Sequence, residues 1–484
     1  MVFTDLDGRA AVRRFRPVPV ALVAVALALR VPALLAVRHL SFDDGVYGAS
    51  ALAMRDGAAP FQDVFSSQGP LFLPLVWLAD LAGLRTQDAP RLLAVAAGAV
   101  LVAVVWTAAR GAGCGRMAAG VGAALCATSG SVLWVTGPLT SDGPALALAT
   151  TAVALALAWR RAPSLRGALL CGLAMGAALS VKSLLVAAAV PVGLVLVRRP
   201  RHLAAAVVAA VVVFLAATLP WGLDDVWDQS VTYHLEAAGD RTPGANAAKM
   251  LSTLFDRDLP VVLALAGAAL LTGWARIRQR PAAEPETAWL VFSWLTATAL
   301  VLLLEHPLWR NHVAHLVPAT ALLVALALER AGPMLGRRAG LALVAALAVV
   351  VPYHALHMGE LLWPRGPRGA EAAARTALEE LPPRGWAISD EPGLVWRTGR
   401  RTPADLVDTS VLRIDSGRIT AASLAAHAAD PRVCAVLVWS SRFGRLSELP
   451  GLLTGYRESG RYGGPRVMYT RTGCAPGAAL GNSD

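Results

Sequence analysis

The sequence predicts an all-α polytopic membrane bundle of about 11 spans, followed by a C-terminal extracytoplasmic α/β domain. Three observations predict this. The 484 residues are 56% hydrophobic and only 16% charged, with a mean hydropathy of +0.53, outside the range of soluble chains. The apolar residues fall in runs long enough to cross a hydrocarbon core of roughly 30 Å, with arginines clustered between the runs. From about Arg365 the composition turns to that of a soluble domain.

The chain opens with Arg13, Arg14 and Arg16, then an apolar run over 18–37. That run outlasts the core of a cleaved signal peptide and reads as an uncleaved span. Further runs cover 91–109, 117–136, 143–159, 203–220, 259–275, 287–304, 312–328 and 339–357. The segment 166–197 is also apolar but is interrupted by Ser180, Lys182 and Ser183. Charge parity decides how it crosses. With the N-terminal arginines inside, Arg110/Arg116, Arg160/Arg161/Arg166, Arg276/Arg278/Arg280 and Arg330/Arg337/Arg338 also face the cytoplasm, as loop-charge asymmetry requires. Arg198, Arg199 and Arg201 join that side only if the chain crosses twice within 166–197, as short, thinned or partly re-entrant helices. The result is a multi-pass plasma-membrane protein with a cytoplasmic N-terminus and an outer C-terminus. Residues 70–84 read as an interfacial helix with Trp77 at headgroup depth, since a crossing there would reverse every later cluster.

A linker, Trp363-Pro364-Arg365-Gly366-Pro367-Arg368-Gly369, divides residues 1–362 from 363–484. Beyond it the pattern predicts helices over 371–381 and 420–429, strands over 386–389 and 434–439, and an edge strand over 466–471. Five cysteines show no CxxC and no zinc-ligand spacing. Cys114, Cys126 and Cys171 read as packing residues, while Cys434 and Cys474 are free to pair if the tail is outside. The net charge of +11 gathers on no single face, so membrane lipids rather than nucleic acid are the expected partner. No P-loop, GxSxG, HExxH or dinucleotide fingerprint occurs, which leaves nucleotide hydrolysis, serine hydrolysis and redox chemistry without support.

The same parity places the acidic loops 38–90, 137–142, 221–258 and 305–311 on the outer face. Asp43 and Asp44 lie just past the first span. Adjacent carboxylates repel and resist desolvation, so one either accepts a proton from an attacking hydroxyl or the two hold a divalent cation. The plainer reading is that they cap a juxtamembrane helix. Asp142 likewise reads as a helix cap or as a second site acid. Lys182, flanked by apolar helices, either snorkels to the outer interface or meets an anion such as a lipid phosphate. Arg310 suits bidentate phosphate binding. His312 and His315 share a helix face, as interfacial histidines or as part of the site. Tyr233 and His234 line a cleft or anchor the loop, together with Trp221 and Trp227. In the tail, Ser389-Asp390-Glu391-Pro392 and Asp405–Ser410 read as solvated loops, or as a cover over the membrane site.

Phe42-Asp43-Asp44-Gly45-Val46-Tyr47, then Ala58-Ala59-Pro60-Phe61-Gln62-Asp63-Val64-Phe65, then Gln68-Gly69-Pro70-Leu71, resembles the first external loop of GT-C glycosyltransferases. The nearest type is the protein O-mannosyltransferase and aminoarabinose-transferase kind. Arg91-Leu92-Leu93, Ser141-Asp142 and Lys182-Ser183 extend the likeness in order. Asp44 departs from the usual Glu, and Gly69 replaces one Pro of a Pro-Pro pair. The resemblance implies a polyprenyl-phosphate-linked sugar donor and an envelope glycan, lipid or protein acceptor. It implies inverting transfer on the outer face with Asp43 as base, and Asp142 as second acid. The rival readings are a lipid-linked sugar flippase or transporter, which predicts repeated halves and midplane charges, and a non-catalytic envelope assembly protein. No repeat is found, and the charges gather at one face.

Overall fold

The computed structural model describes residues 17–236, 242–277, 285–335, 348–350, 352–354 and 356–474. Five described helices are long and apolar enough to cross a membrane: Ala89–Gly111, Asp142–Arg161, Pro200–Trp221, Pro285–Leu304 and Arg310–Ala331. A sixth is formed if Arg116–Thr128 and Gly130–Thr136, bent by 61°, count as one span. The bend has a local cause. Ser129 caps the second helix by accepting from Val132 N, and its hydroxyl donates to Asp258 at 2.6 Å, so the ladder is broken by a capping side chain.

The run 18–37 is also shorter than its apolar length implies, giving the helix Val18–Leu34. Arg30 turns inward there, fully buried. Its Nε donates to Thr136 Oγ1 at 2.7 Å and a terminal nitrogen to the Ala26 carbonyl at 2.8 Å. The segment 166–197 divides at Lys182 into the helix Leu165–Val181, then a 3-10 turn Ser183–Ala188 that runs into Ala189–Leu196. Lys182 itself is extended, with φ −154° and ψ 115°. Arg13, Arg14, Arg16 and most of the expected span 339–357 lie outside the described residues.

Small residues bring the spans together. In the helix Asp142–Arg161, Ala145, Ala149, Ala152 and Ala156 are buried at i, i+4, i+7 and i+11. One face thus meets its neighbours through methyl groups alone, which permits close helix packing.

The C-terminal unit holds a four-stranded sheet of order β1-β2-β4-β3. β1 (Trp386–Ser389) runs parallel to β2 (Val433–Val438). β4 (Val467–Arg471) pairs antiparallel with both β2 and β3 (Tyr456–Arg461). The segment expected as the edge is therefore internal, and β1 and β3 are the edges. β3 shows no apolar alternation because both of its faces are largely exposed. Cys434 and Cys474 form a disulfide.

The parallel pairing of β1 and β2 demands a crossover. Its first helix, Pro392–Arg397, packs on the helix Phe42–Arg55. Gly48 makes this approach possible, because an added Cβ would lie 2.2 Å from the Trp396 ring. That indole is itself fully buried. Gly48→Ala is expected to lower stability by about 1–3 kcal/mol, as for overpacking of a closed core. Thermal unfolding of the detergent-solubilised protein measures it; an unchanged midpoint would mean the two units are not keyed here.

Candidate active site

Ser41 starts the helix Phe42–Arg55 with extended backbone, and its side chain accepts from Asp44 N at 3.2 Å. The two acids that follow separate by role. Asp44 points into the protein and is fully buried. Its Oδ1 accepts from Arg91 Nε at 3.0 Å and Leu139 N at 3.1 Å. Its Oδ2 accepts from a terminal Arg91 nitrogen at 2.6 Å and Leu40 N at 3.0 Å. Four donors hold this carboxylate below its usual range, although burial opposes them. Arg91, also fully buried, donates as well to the carbonyls of Ala36 at 2.7 Å and Arg38 at 2.6 Å. Far from merely opening a span, it ties the end of the first apolar helix to the helix Phe42–Arg55.

Asp43, one residue earlier, lines a cavity of about 810 Å³. No donor among the described residues hydrogen-bonds its carboxylate. Burial pushes it up to about 6, opposed by Lys182 and reinforced by Asp142, Asp408 and Asp44. A carboxyl half-ionised near pH 6 with free lone pairs is suited to accept a proton.

Across the cavity, Lys182 Nζ lies 3.0 Å from Asp142 Oδ2 and 3.5 Å from Ser141 Oγ. Asp142 Oδ1 is 2.8 Å from His315 Nε2. His312 stacks on His315, with ring centroids 5.9 Å apart. The turn Gln68-Gly69-Pro70-Leu71 closes one wall. Ser141 Oγ donates to Gln68 Oε1 at 2.7 Å, while Gly69 N and Leu71 N donate to the Val181 and Ser180 carbonyls. An added Cβ on Gly69 would come within 2.3 Å of the Ser180 oxygen, so glycine is what lets this turn seat against the helix that ends before Lys182.

The segment 223–235 supplies further lining. His234 Nε2 donates to the Ser67 carbonyl at 2.8 Å, and burial lowers its affinity for a second proton. The Tyr233 hydroxyl meets Ser410 Oγ at 3.1 Å. Gln229 accepts from Ser66 N at 2.9 Å and donates to the Phe61 carbonyl at 2.6 Å. Arg418 grips Asp228 at 2.7 and 2.9 Å and Glu236 at 2.9 Å. The C-terminal unit thus roofs the cavity. Asp408, Ser410 and Arg442 reach its lining, so the Asp405–Ser410 segment is a cover and not a solvated loop.

Of the residues singled out in the sequence, Asp43, Asp142, Lys182, Tyr233, His234, Arg310 and His312 all line this one cavity. Asp44 does not, and the idea that it works beside Asp43 or shares a cation with it is corrected by the four donors that saturate it. Arg310 reaches the cavity while its guanidinium pairs with Asp256. Among the described residues no three His, Cys, Asp or Glu side chains gather as a metal ligand set. Arg91 and Asp408 are not singled out for this site by the sequence, and His315 enters only beside His312 on a shared helix face. Arg91 resembled a membrane-edge arginine, and Asp408 belongs to a unit with its own hydrophobic core.

The architecture is that of a polytopic membrane protein whose polar cavity lies between its interhelical loops and the C-terminal unit. No family model matches the sequence, and no curated protein matches it. Solved structures do match. ArnT from Cupriavidus metallidurans in the apo state superposes with a TM-score of 0.64 at 17% identity, covering 93% of this chain and 97% of that one. The same protein bound to undecaprenyl phosphate gives 0.61 at 17%, with the same coverage. The archaeal oligosaccharyltransferase AglB from Archaeoglobus fulgidus, in complex with an inhibitory peptide and a dolichol-phosphate, gives 0.56 at 12%, covering 91% and 72%. AglB was also solved with Zn and sulfate. The chain has the GT-C fold.

Proposed function

We propose that this protein is a membrane glycosyltransferase. It moves a sugar from a polyprenyl-phosphate donor to a hydroxyl of a cell-envelope glycan, lipid or protein, by inverting displacement on the outer face. One observation carries the reading: a cavity with an unbonded carboxylate, Asp43, on one wall and an ammonium, Lys182, on another. Fold alone does not define activity, so the argument rests on that pairing. The undecaprenyl phosphate and dolichol-phosphate bound to the ArnT and AglB structures support a lipid phosphate as the ligand of this cavity.

In the reaction, Asp43 accepts the proton of the acceptor hydroxyl as that oxygen bonds to the anomeric carbon. The bond from that carbon to the phosphate oxygen breaks, and its electron pair leaves with the phosphate. Lys182 stabilises the charge growing on the leaving group, exchanging its Asp142 contact for the phosphate. Asp142, held by His315, keeps the ammonium aimed into the cavity when no phosphate is there. Arg310 and His312 stand near the same end and help to fix the phosphate; Tyr233 and His234 flank the sugar. The apolar lining from Leu179, Leu184, Val186, Phe214 and Val301 suits the first isoprene units. The Cys434–Cys474 disulfide supports an extracytoplasmic C-terminal unit, since disulfides persist in oxidising compartments.

Lys182→Ala is expected to lower transfer of labelled sugar from polyprenyl-phosphate donors by roughly 10²–10³-fold, the usual effect of losing one transition-state anion contact. Assays in membranes carrying equal amounts of each protein measure it. Full transfer by the variant rejects Lys182 as the phosphate clamp.

A further inference from the structure

The cavity is also lined by Asp408, a carboxylate that the transfer step leaves idle. Asp408 belongs to the C-terminal unit and is buried, yet it lines the cavity. Its Oδ1 accepts from Ser410 N at 2.8 Å, an Asx turn. Its Oδ2 has no hydrogen-bond partner and no ion pair among the described residues. Arg413 is close but donates to the Asp408 backbone carbonyl at 2.7 Å, not to the carboxylate.

The loop around Asp408 is firmly held. Thr409 Oγ1 donates to the Ser389 carbonyl at 3.1 Å, and the Arg413 guanidinium stacks 4.0 Å over the Phe65 ring. Asp408 is therefore fixed in direction before any ligand arrives. That oxygen is open to the cavity, so its lone pairs are available to a water or a ligand. An ionised carboxylate accepts and does not donate, so its complement is a hydroxyl hydrogen. Ser410, with its hydroxyl on Tyr233, extends the polar edge beside it.

We propose that Asp408 is a specificity residue that hydrogen-bonds a ring hydroxyl of the sugar held between Asp43 and the roof. This rests on the transferase reading and adds to it. The soluble unit reads the carbohydrate, while the membrane bundle holds the lipid phosphate. The hydroxyl belongs either to the donor sugar or to a sugar acceptor, and kinetics distinguish the two.

The test is Asp408→Asn, in which the amide oxygen preserves the turn to Ser410 N while an NH2 replaces the open acceptor. Undecaprenyl phosphate, which carries no sugar, is the first probe, read by native mass spectrometry on the purified full chain. Its binding and the thermal midpoint are expected to match wild type. Transfer from radiolabelled polyprenyl-phosphate sugars is expected to fall roughly 10–10²-fold, the loss typical of a hydrogen bond to a charged group. A raised KM for donor assigns the hydroxyl to the donor ring, and a raised KM for acceptor assigns it to the acceptor. Wild-type transfer with unchanged KM values overturns the proposal. So does a loss of thermal midpoint or of undecaprenyl phosphate binding in step with activity, which marks a structural role. Normal transfer by Asp408→Asn leaves the transferase reading standing, whereas absence of transfer by the wild-type chain itself removes both.

Discussion

Asp43→Asn is expected to abolish most sugar transfer, by roughly 10²–10⁴-fold, the span attributed to a positioned general base. The substitution is nearly isosteric and breaks no hydrogen bond among the described residues. An activity loss therefore reports chemistry and not misfolding. Its effect on stability has a definite sign. The Asp43 carboxyl is raised from 3.8 to about 6, first by burial, so the folded chain holds this proton more tightly than the unfolded chain does. Its favourable contribution is fully present below pH 3.8 and lost as pH rises through about 6. At neutral pH the amide should leave the protein as stable as wild type, or more so. Wild-type transfer should rise with pH between about 5 and 7 as the base ionises, and no such inflection should remain in the variant's residual activity. A stable, active Asn variant would falsify the assignment.

The second large effect falls on stability. Arg91→Met removes two of the four donors to a fully buried carboxylate, leaving Asp44 with only the Leu40 and Leu139 amides. Breaking a buried pair from one side usually costs about 3–5 kcal/mol. The Ala36 and Arg38 carbonyls lose donors as well. The variant should express poorly or unfold at a much lower temperature. Replacing both partners removes the stranded charge, so Asp44→Asn with Arg91→Met should recover a substantial part of the loss. Thermal unfolding of the four members of this cycle gives the coupling directly. Additive losses would show that the pair does not hold the first outer loop to the first span.

This pair also illustrates where the sequence was readable and where it was not. The apolar runs, the interruption at Lys182 and the acidic motif were legible because each is a local violation of its surroundings. A lysine in an apolar run and two carboxylates beside a membrane both stand out. The division of labour between Asp43 and Asp44 was not legible. It depends on Arg91, 47 residues away, which resembles any arginine at a membrane edge. The capping reading of the acidic pair fails because Ser41 caps that helix, which leaves Asp44 to Arg91 and Asp43 to the cavity. The bend at Ser129 and the inward turn of Arg30 were hidden for the same reason, since each is fixed by a partner distant in sequence. In the C-terminal unit, β1, β2 and β4 carried apolar residues at strand spacing. The exposed β3, Tyr-Arg-Glu-Ser-Gly-Arg over 456–461, had no such signal. The contribution of Asp408 to the cavity requires the docking of Pro392–Arg397 on Phe42–Arg55, which only tertiary packing provides.

The account stands or falls on what occupies the cavity between the first outer loop and the roof. A structure of the full chain with added undecaprenyl phosphate tests this most directly. The phosphate should lie within roughly 3 Å of Lys182 Nζ, with the isoprene chain leaving along Phe214 and Val301 and the Asp43 carboxylate facing the vacated sugar position. A lipid phosphate bound elsewhere, with Lys182 still paired to Asp142, would contradict it.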